Sequence, residues 1–393
     1  MFTPARWSLA LGATLALSLG SLAPALVAPD AVAAPRATST VVSSVGTSPA
    51  TPAPRHWQAR QAAIAQELGV GRSPARTAVE RALNPADYAC GRTDLDRYMA
   101  SLTKGMTPDD LDFLLTSGAM DIVTVDAILF GSDTDPRYAL RPENRTQLTH
   151  TFRDAKRFWD ISSSGMQLHA MHGSMLTDRS RVARVLMRGF GFDREFAGEY
   201  AEFVSRVVAT TPAFEDGNNP LFTLNAFAFT PAGKDPELVA GVHDKLIFGD
   251  GILDAFAALG MTDVAPRAIL GHEFGHQVQF QDNLYDSPLT GAEATRRTEL
   301  MADAMGTYFL THSRGLSLNT RRVLEGEKTL YDVGDCSFDA PNHHGTPNQR
   351  LRASQWGARL ATSAQKQGHI LPSLTVARLF DQQLPAIVAP DAS

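Results

Sequence analysis

Residues 265–284, APRAILGHEFGHQVQFQDNL, constrain the fold more than any other segment of the chain. Ile269, Leu270 and Phe274 recur at helical spacing, and among them stand His272, Glu273 and His276. Residues four apart on an α-helix lie one turn above each other, so both imidazoles leave the same face. There they can share one metal ion at about 2.0–2.1 Å, with Glu273 bordering the ion's open side and placed to take a proton from water. The plain alternative is a solvated helix face carrying two incidental histidines.

Two histidines do not complete a catalytic metal site, which needs a third protein ligand and one position left open. Glu299 is the leading candidate, in a second helical stretch, TELMADAMG, at 298–306. Asp303 sits one turn beyond it on the same face, so Glu299 can bind the metal while Asp303 accepts the free ring N–H of His272. Ala302 and Gly306 would let this helix approach the first one closely, and Gly275 does the same from the other side. Glu293 is a competing ligand nearer a glycine-marked loop. The plain reading is a small-residue helix contact with surface carboxylates.

HEFGH followed by ELMAD resembles the gluzincin metallopeptidases, whose pattern is HExxH and then a helix bearing ExxxD. Upstream, LNAFAF and KLIFGDGIL are similar to the segment and strand preceding the metal helix in several members of that clan. Downstream, His343-His344-Gly345-Thr346-Pro347-Asn348-Gln349-Arg350 is similar to a motif of the neutral zinc metallopeptidases. The likeness spans roughly residues 221–355. It implies an α+β, mainly helical, zincin-like fold with a small mixed sheet packed on the HExxH helix. It also implies one Zn²⁺ per chain on His272, His276 and Glu299, with Glu273 as general base and Asp303 behind His272. A peptide or protein substrate would pair with an edge strand near 223–229. His344, oriented by Asp339, is the expected oxyanion donor, with His343 and Tyr331 as competitors; Arg350 binds a substrate carbonyl or braces the loop. Without the likeness, 343–350 reads as a capped turn that starts a helix over 348–366.

The remaining chain supplies context. Arg6 precedes an uncharged run from Trp7 to Ala28, and Ala31-Val32-Ala33 has the small-residue spacing of a cleavage site, so 1–33 reads as a secretory signal peptide. An uncleaved membrane anchor is the competing reading, and no stable anchor is expected after cleavage. Residues 34–57, rich in Pro, Ser, Thr and Ala, read as a disordered linker. Helical spacing dominates 58–215, with helices expected at 57–68, 75–83, from 108, and at 144–160, 178–188 and 194–209. His169 and His172 read as packed or loop histidines, with metal ligation as the rarer alternative. Residues 216–393 form the metallopeptidase-like region, opening with strands at 221–230 and 245–253.

With 36 Lys+Arg against 42 Asp+Glu, the net charge of −6 gives no electrostatic reason to expect a nucleic-acid partner. Cys90 and Cys336, the only cysteines, would both be exported and can form one disulfide. Alternatively Cys90, in ACGRTD, resembles in part the cysteine with which a propeptide covers the metal of a latent protease. The expected activity is that of a secreted, extracytoplasmic zinc-dependent metallopeptidase. A zinc amidase acting on cell-wall peptides and a non-catalytic zinc-binding protein of the same fold are the alternatives.

Overall fold

Helix signals in the sequence translate directly into capped helices. The computed structural model describes residues 57–70, 75–76, 79, 93–334 and 344–389. Within them run α1 (Trp57–Leu68), α2 (Asp94–Leu102), α3 (Pro108–Thr116), α4 (Ala119–Phe130), α5 (Pro142–Phe158), α6 (Arg179–Arg188) and α7 (Arg194–Thr210). The C-terminal half adds α8 (Asp250–Ala258), α9 (Ala265–Gln281), α10 (Gly291–Thr311), α11 (Thr320–Asp332), α12 (Pro347–Gln367) and α13 (Ser373–Ile387). Thr93 with Asp96, and Thr107 with Asp110, close capping boxes on α2 and α3, each satisfying two backbone N–H groups that the first turn leaves bare. Of the helix expected at 75–83, only Ala75, Arg76 and Val79 lie among the described residues.

Residues 108–130 match a membrane span in length and apolarity. The chain nevertheless turns at Gly118, whose φ of 70° is left-handed, and α3 and α4 bury most of their apolar residues in the protein. An apolar core helix pair satisfies the same length and composition.

Strands β1 (Gln167–Met171), β2 (Ala226–Phe229) and β3 (Lys245–Gly249) form one mixed sheet in the order β1-β3-β2. The chain is therefore α+β and mainly helical. β1 runs parallel to β3 with His169 opposite Ile247; β2 is antiparallel, with Ala228 opposite Leu246. β1 falls in a stretch whose spacing predicts helices, on the segment around His169 that predicts only packing or a loop. Five residues are too few for periodicity to identify, and the partner strand is far along the chain.

Both C-terminal strands are shorter than expected. Pro220–Thr223 makes a 3₁₀ turn before β2, and β3 gives way to α8 at Asp250. Gly249 and Gly251 stand at that switch because the 220–225 turn lies directly against them: a Cβ at either would run into the carbonyl oxygens of Thr223 and Pro220. Gly251 N also donates to Thr223 Oγ1 at 2.9 Å.

One hydrophobic core extends from Trp57 in α1 to Ile387 in α13. Trp57, at the end of the expected linker, packs against Phe190, Phe192 and Tyr200 with ring centroids 5.1–5.3 Å apart. The texture change near residue 215 thus falls inside a shared core. At its centre lies α9, where every residue from Ala265 to Gln279 except Arg267 is buried. A helix enclosed on all sides shows no amphipathic stripe.

Candidate metal centre

Close packing of α9 on α10 brings the polar groups together. Gly271 and Gly275 of α9 face Gly306 and Ala302 of α10; a Cβ on Gly275 would lie 3.0 Å from Ala302 Cα, and one on Gly306 2.8 Å from His272 N. At this separation Glu299, one turn before Asp303, reaches the histidine face of α9. The expectation that small residues permit this approach agrees with the contact.

His272 Nε2 lies 3.1 Å from His276 Nε2. Glu299 Oε2 is 3.4 Å from His272 Nε2, and Glu299 Oε1 is 3.4 Å from His276 Nε2. Donors around a tetrahedral ion bound at 2.0–2.1 Å stand about 3.3–3.4 Å apart, so the three groups stand close to ligand spacing, with Glu299 turning one oxygen to each histidine. The ligand atoms of His272, Glu273 and His276 themselves lie within 4.8 Å of one another, all three residues buried, and this group can hold a metal ion. Of the two carboxylates, Glu299 makes the shorter contacts and Glu273 stands beside them.

Hydrogen bonds behind the rings set their tautomers. Asp303 Oδ1 accepts from His272 Nδ1 at 2.8 Å. Gln279 Nε2 donates to Thr298 O at 2.7 Å, which turns Gln279 Oε1 toward His276 Nδ1, also at 2.8 Å. Each Nδ1 therefore carries hydrogen, and the two Nε2 atoms are left facing Glu299. Two imidazole nitrogens and a carboxylate converging in a buried space need positive charge among them, supplied by a metal ion or by a proton on an imidazole.

The electrostatics register the same demand for positive charge. Burial opposes a charged His272, but Asp303 and Glu299 outweigh it and push the imidazole up to about 10. Burial likewise works against an ionised Glu299, yet His276, His344 and His272 hold its carboxyl well below the usual range. Glu273 behaves oppositely: burial raises it, only partly offset by His272 and His276, and it accepts a hydrogen bond from the backbone of Ala228 in β2.

Arg350, from α12, donates to Asp303 Oδ1 at 2.6 Å and approaches Glu299 Oε2 at 3.9 Å. At 2% exposure it braces the carboxylates rather than facing solvent. His344 stands near enough to influence Glu299 electrostatically. Glu293, the competing ligand, has a 66% exposed side chain paired with Arg296, and Tyr331 lies in the last turn of α11. Asp339, His343, Cys90 and Cys336 lie outside the described residues.

His169 and His172 have other partners. His169 Nδ1 meets Ala170 O, and His172 bridges Asp250 and Ala139 O at 2.6 and 3.1 Å. Three further residues join the site in the structure. Gln279 and Gln277 sit on α9 among the histidines, and Gln277 Nε2 donates to Phe229 O and Lys245 O at 3.0 and 2.9 Å, tying β2 and β3 to the helix. Tyr285 Oη lies 3.2 Å from His276 Nδ1. A glutamine three residues after the second histidine was a legible signal; Tyr285 reaches the site only through a chain reversal.

No family model matches the chain, and neither the curated proteins nor the solved structures yield a match.

Proposed function

We propose that the chain is a secreted zinc-dependent metallopeptidase of zincin-like fold, related in its chemistry to the gluzincins. The observation that carries this reading is the convergence of His272 Nε2, His276 Nε2 and the Glu299 carboxylate at 3.1–3.4 Å. Two neutral imidazoles and one carboxylate are the ligand set of one class of catalytic zinc site, and His272, His276 and Glu299 would hold the ion here. Zn²⁺ held by them would supply Lewis acidity toward water and toward the scissile carbonyl.

The chain's own residues do the rest. Glu273 takes the proton of the attacking water and returns it to the departing amine. Asp303, held by Arg350, keeps His272 in its binding tautomer, and Gln279 does so for His276. His344 is the candidate donor to the developing oxyanion.

Substrate recognition falls to β2, an edge strand. Gly249 N donates to Asn225 O at 2.9 Å, so by antiparallel alternation Asn225, Phe227 and Phe229 turn toward β3. Ala226 and Ala228 therefore turn to the free edge; Ala228 N–H meets Glu273 there, and an extended peptide can pair with the remaining main-chain groups.

Glu273→Gln tests the assignment. The variant is expected to keep its zinc and its fold while turnover falls on the order of 10²-fold or more, as for loss of a general base. Metal content by atomic absorption and hydrolysis of a denatured protein are the measurements. Undiminished hydrolysis would remove Glu273 from its role.

A further inference from the structure

Phe280 follows His276 by four residues, so His272, His276 and Phe280 lie along one stripe of α9. Beyond the helix the chain reverses: Asn283 adopts a left-handed φ of 54°, and Leu284 N donates to Gln279 O at 2.9 Å. Tyr285 thereby folds back over the stripe. Its ring stacks on Phe280 at a centroid distance of 5.1 Å and an interplanar angle of 12°.

Arg297 pins the reversal. One of its guanidinium nitrogens donates to Leu284 O at 2.6 Å, while two others grip Asp381 of α13 at 2.7 and 2.8 Å. The Tyr285 hydroxyl is enclosed, and burial followed by the carboxylates of Glu299 and Glu273 raises it above its ordinary range. The residue as a whole nevertheless keeps 44% exposure. Leu324 and Leu374 are the other exposed large hydrophobic residues among those described, and of the three only Tyr285 touches a metal-binding histidine. A ring already held in place loses little conformational freedom when a ligand covers it.

β2 advances along α9 in the same sense, since Ala228 meets Glu273 and Phe229 meets Gln277. A chain laid along the free edge of β2 and across the metal group therefore arrives at Phe280 and Tyr285.

We propose that Tyr285, stacked on Phe280, is a specificity-determining residue that receives a large apolar or aromatic side chain of the substrate beside the scissile bond. This inference rests on the peptidase reading above. The test is digestion of a peptide library by the full zinc-loaded chain, with termini mapping, for wild type, Tyr285→Leu and Tyr285→Phe. Wild type should favour an aromatic or large apolar residue at one position flanking the cut. Tyr285→Leu should lose about 10-fold of that preference, within the range by which apolar pockets discriminate, and Tyr285→Phe should retain it. In the Glu273→Gln background, calorimetric affinity for an aromatic-containing library peptide should likewise fall about 10-fold on adding Tyr285→Leu. An unchanged preference in a zinc-containing Tyr285→Leu protein overturns the assignment and leaves the peptidase reading intact. Loss of zinc by Tyr285→Leu also overturns it, making the residue a support for His276. Absence of any cleavage by wild type removes both readings together.

Discussion

His272 and His276 occupy equivalent positions on successive turns, yet their surroundings differ. His272 is backed by a carboxylate that Arg350 also grips, whereas His276 is backed by the neutral amide of Gln279. A carboxylate partner raises ligand basicity more than an amide does, so Asp303 is the support whose loss should matter for the metal. Asp303→Ala is expected to weaken zinc affinity by about 10- to 100-fold, read by competition with a chromophoric chelator. Affinity equal to wild type would mean that Asp303 serves packing alone. Its burial at 0% exposure makes a destabilised fold a second expected consequence.

At the scale of elements, the centre depends on how closely α9 and α10 can lie. The Gly306 and Gly275 positions leave no room for a side chain between the backbones. Gly306→Ala must push α10 away from His272 N, and since Glu299 rides on α10 the displacement carries this proposed ligand with it. The expected outcome is a stability loss of about 1–3 kcal/mol, typical of overpacking, together with reduced zinc occupancy. Urea denaturation and metal content measure the two effects. Loss of stability with full occupancy would show that the ligands tolerate helix displacement. The sheet depends on a similar local fit: Lys245, 2% exposed, directs Nζ at the carbonyls of Ile128 and Gly131, each at 2.7 Å, and closes the end of α4. Burial lowers its ammonium to about 8, with Asp126 and Asp133 opposing.

The molecule as a whole carries an acid-sensitive residue far from the centre in chain position. His169 in β1 is 1% exposed with Nε2 unpartnered, and burial, helped by the charge of Lys245, lowers it from 6.5 to about 3. Below pH 6.5 the unfolded chain gains a proton at this residue that the folded protein refuses. Stability is thus lost as pH falls from about 6.5 to about 3, by a few kcal/mol and at most about 5. Replacing His169 by Leu should flatten that part of the stability–pH curve in chemical denaturation. Identical slopes for the two proteins would assign the acid sensitivity elsewhere.

Much of this arrangement was legible beforehand because it is written in short spacings. Histidines four apart, carboxylates four apart and small residues at matching turns specify helix faces whatever surrounds them, and Thr107-Pro108-Asp109-Asp110 starts a helix by itself. Strand β1 was not legible, because its hydrogen bonds are completed by residues 167–171 meeting 245–249 across two intervening α-helices, several 3₁₀ turns and strand β2. Tyr285 was hidden for a related reason: its place over His276 follows from the turn at Asn283 and the clamp between Arg297 and Asp381. The sequence alone determined which side chains share a helix face, since local backbone geometry dictates that. Only the tertiary structure decided that Glu299 rather than Glu293 meets the histidines, because helix separation and burial arise from packing between segments distant along the chain.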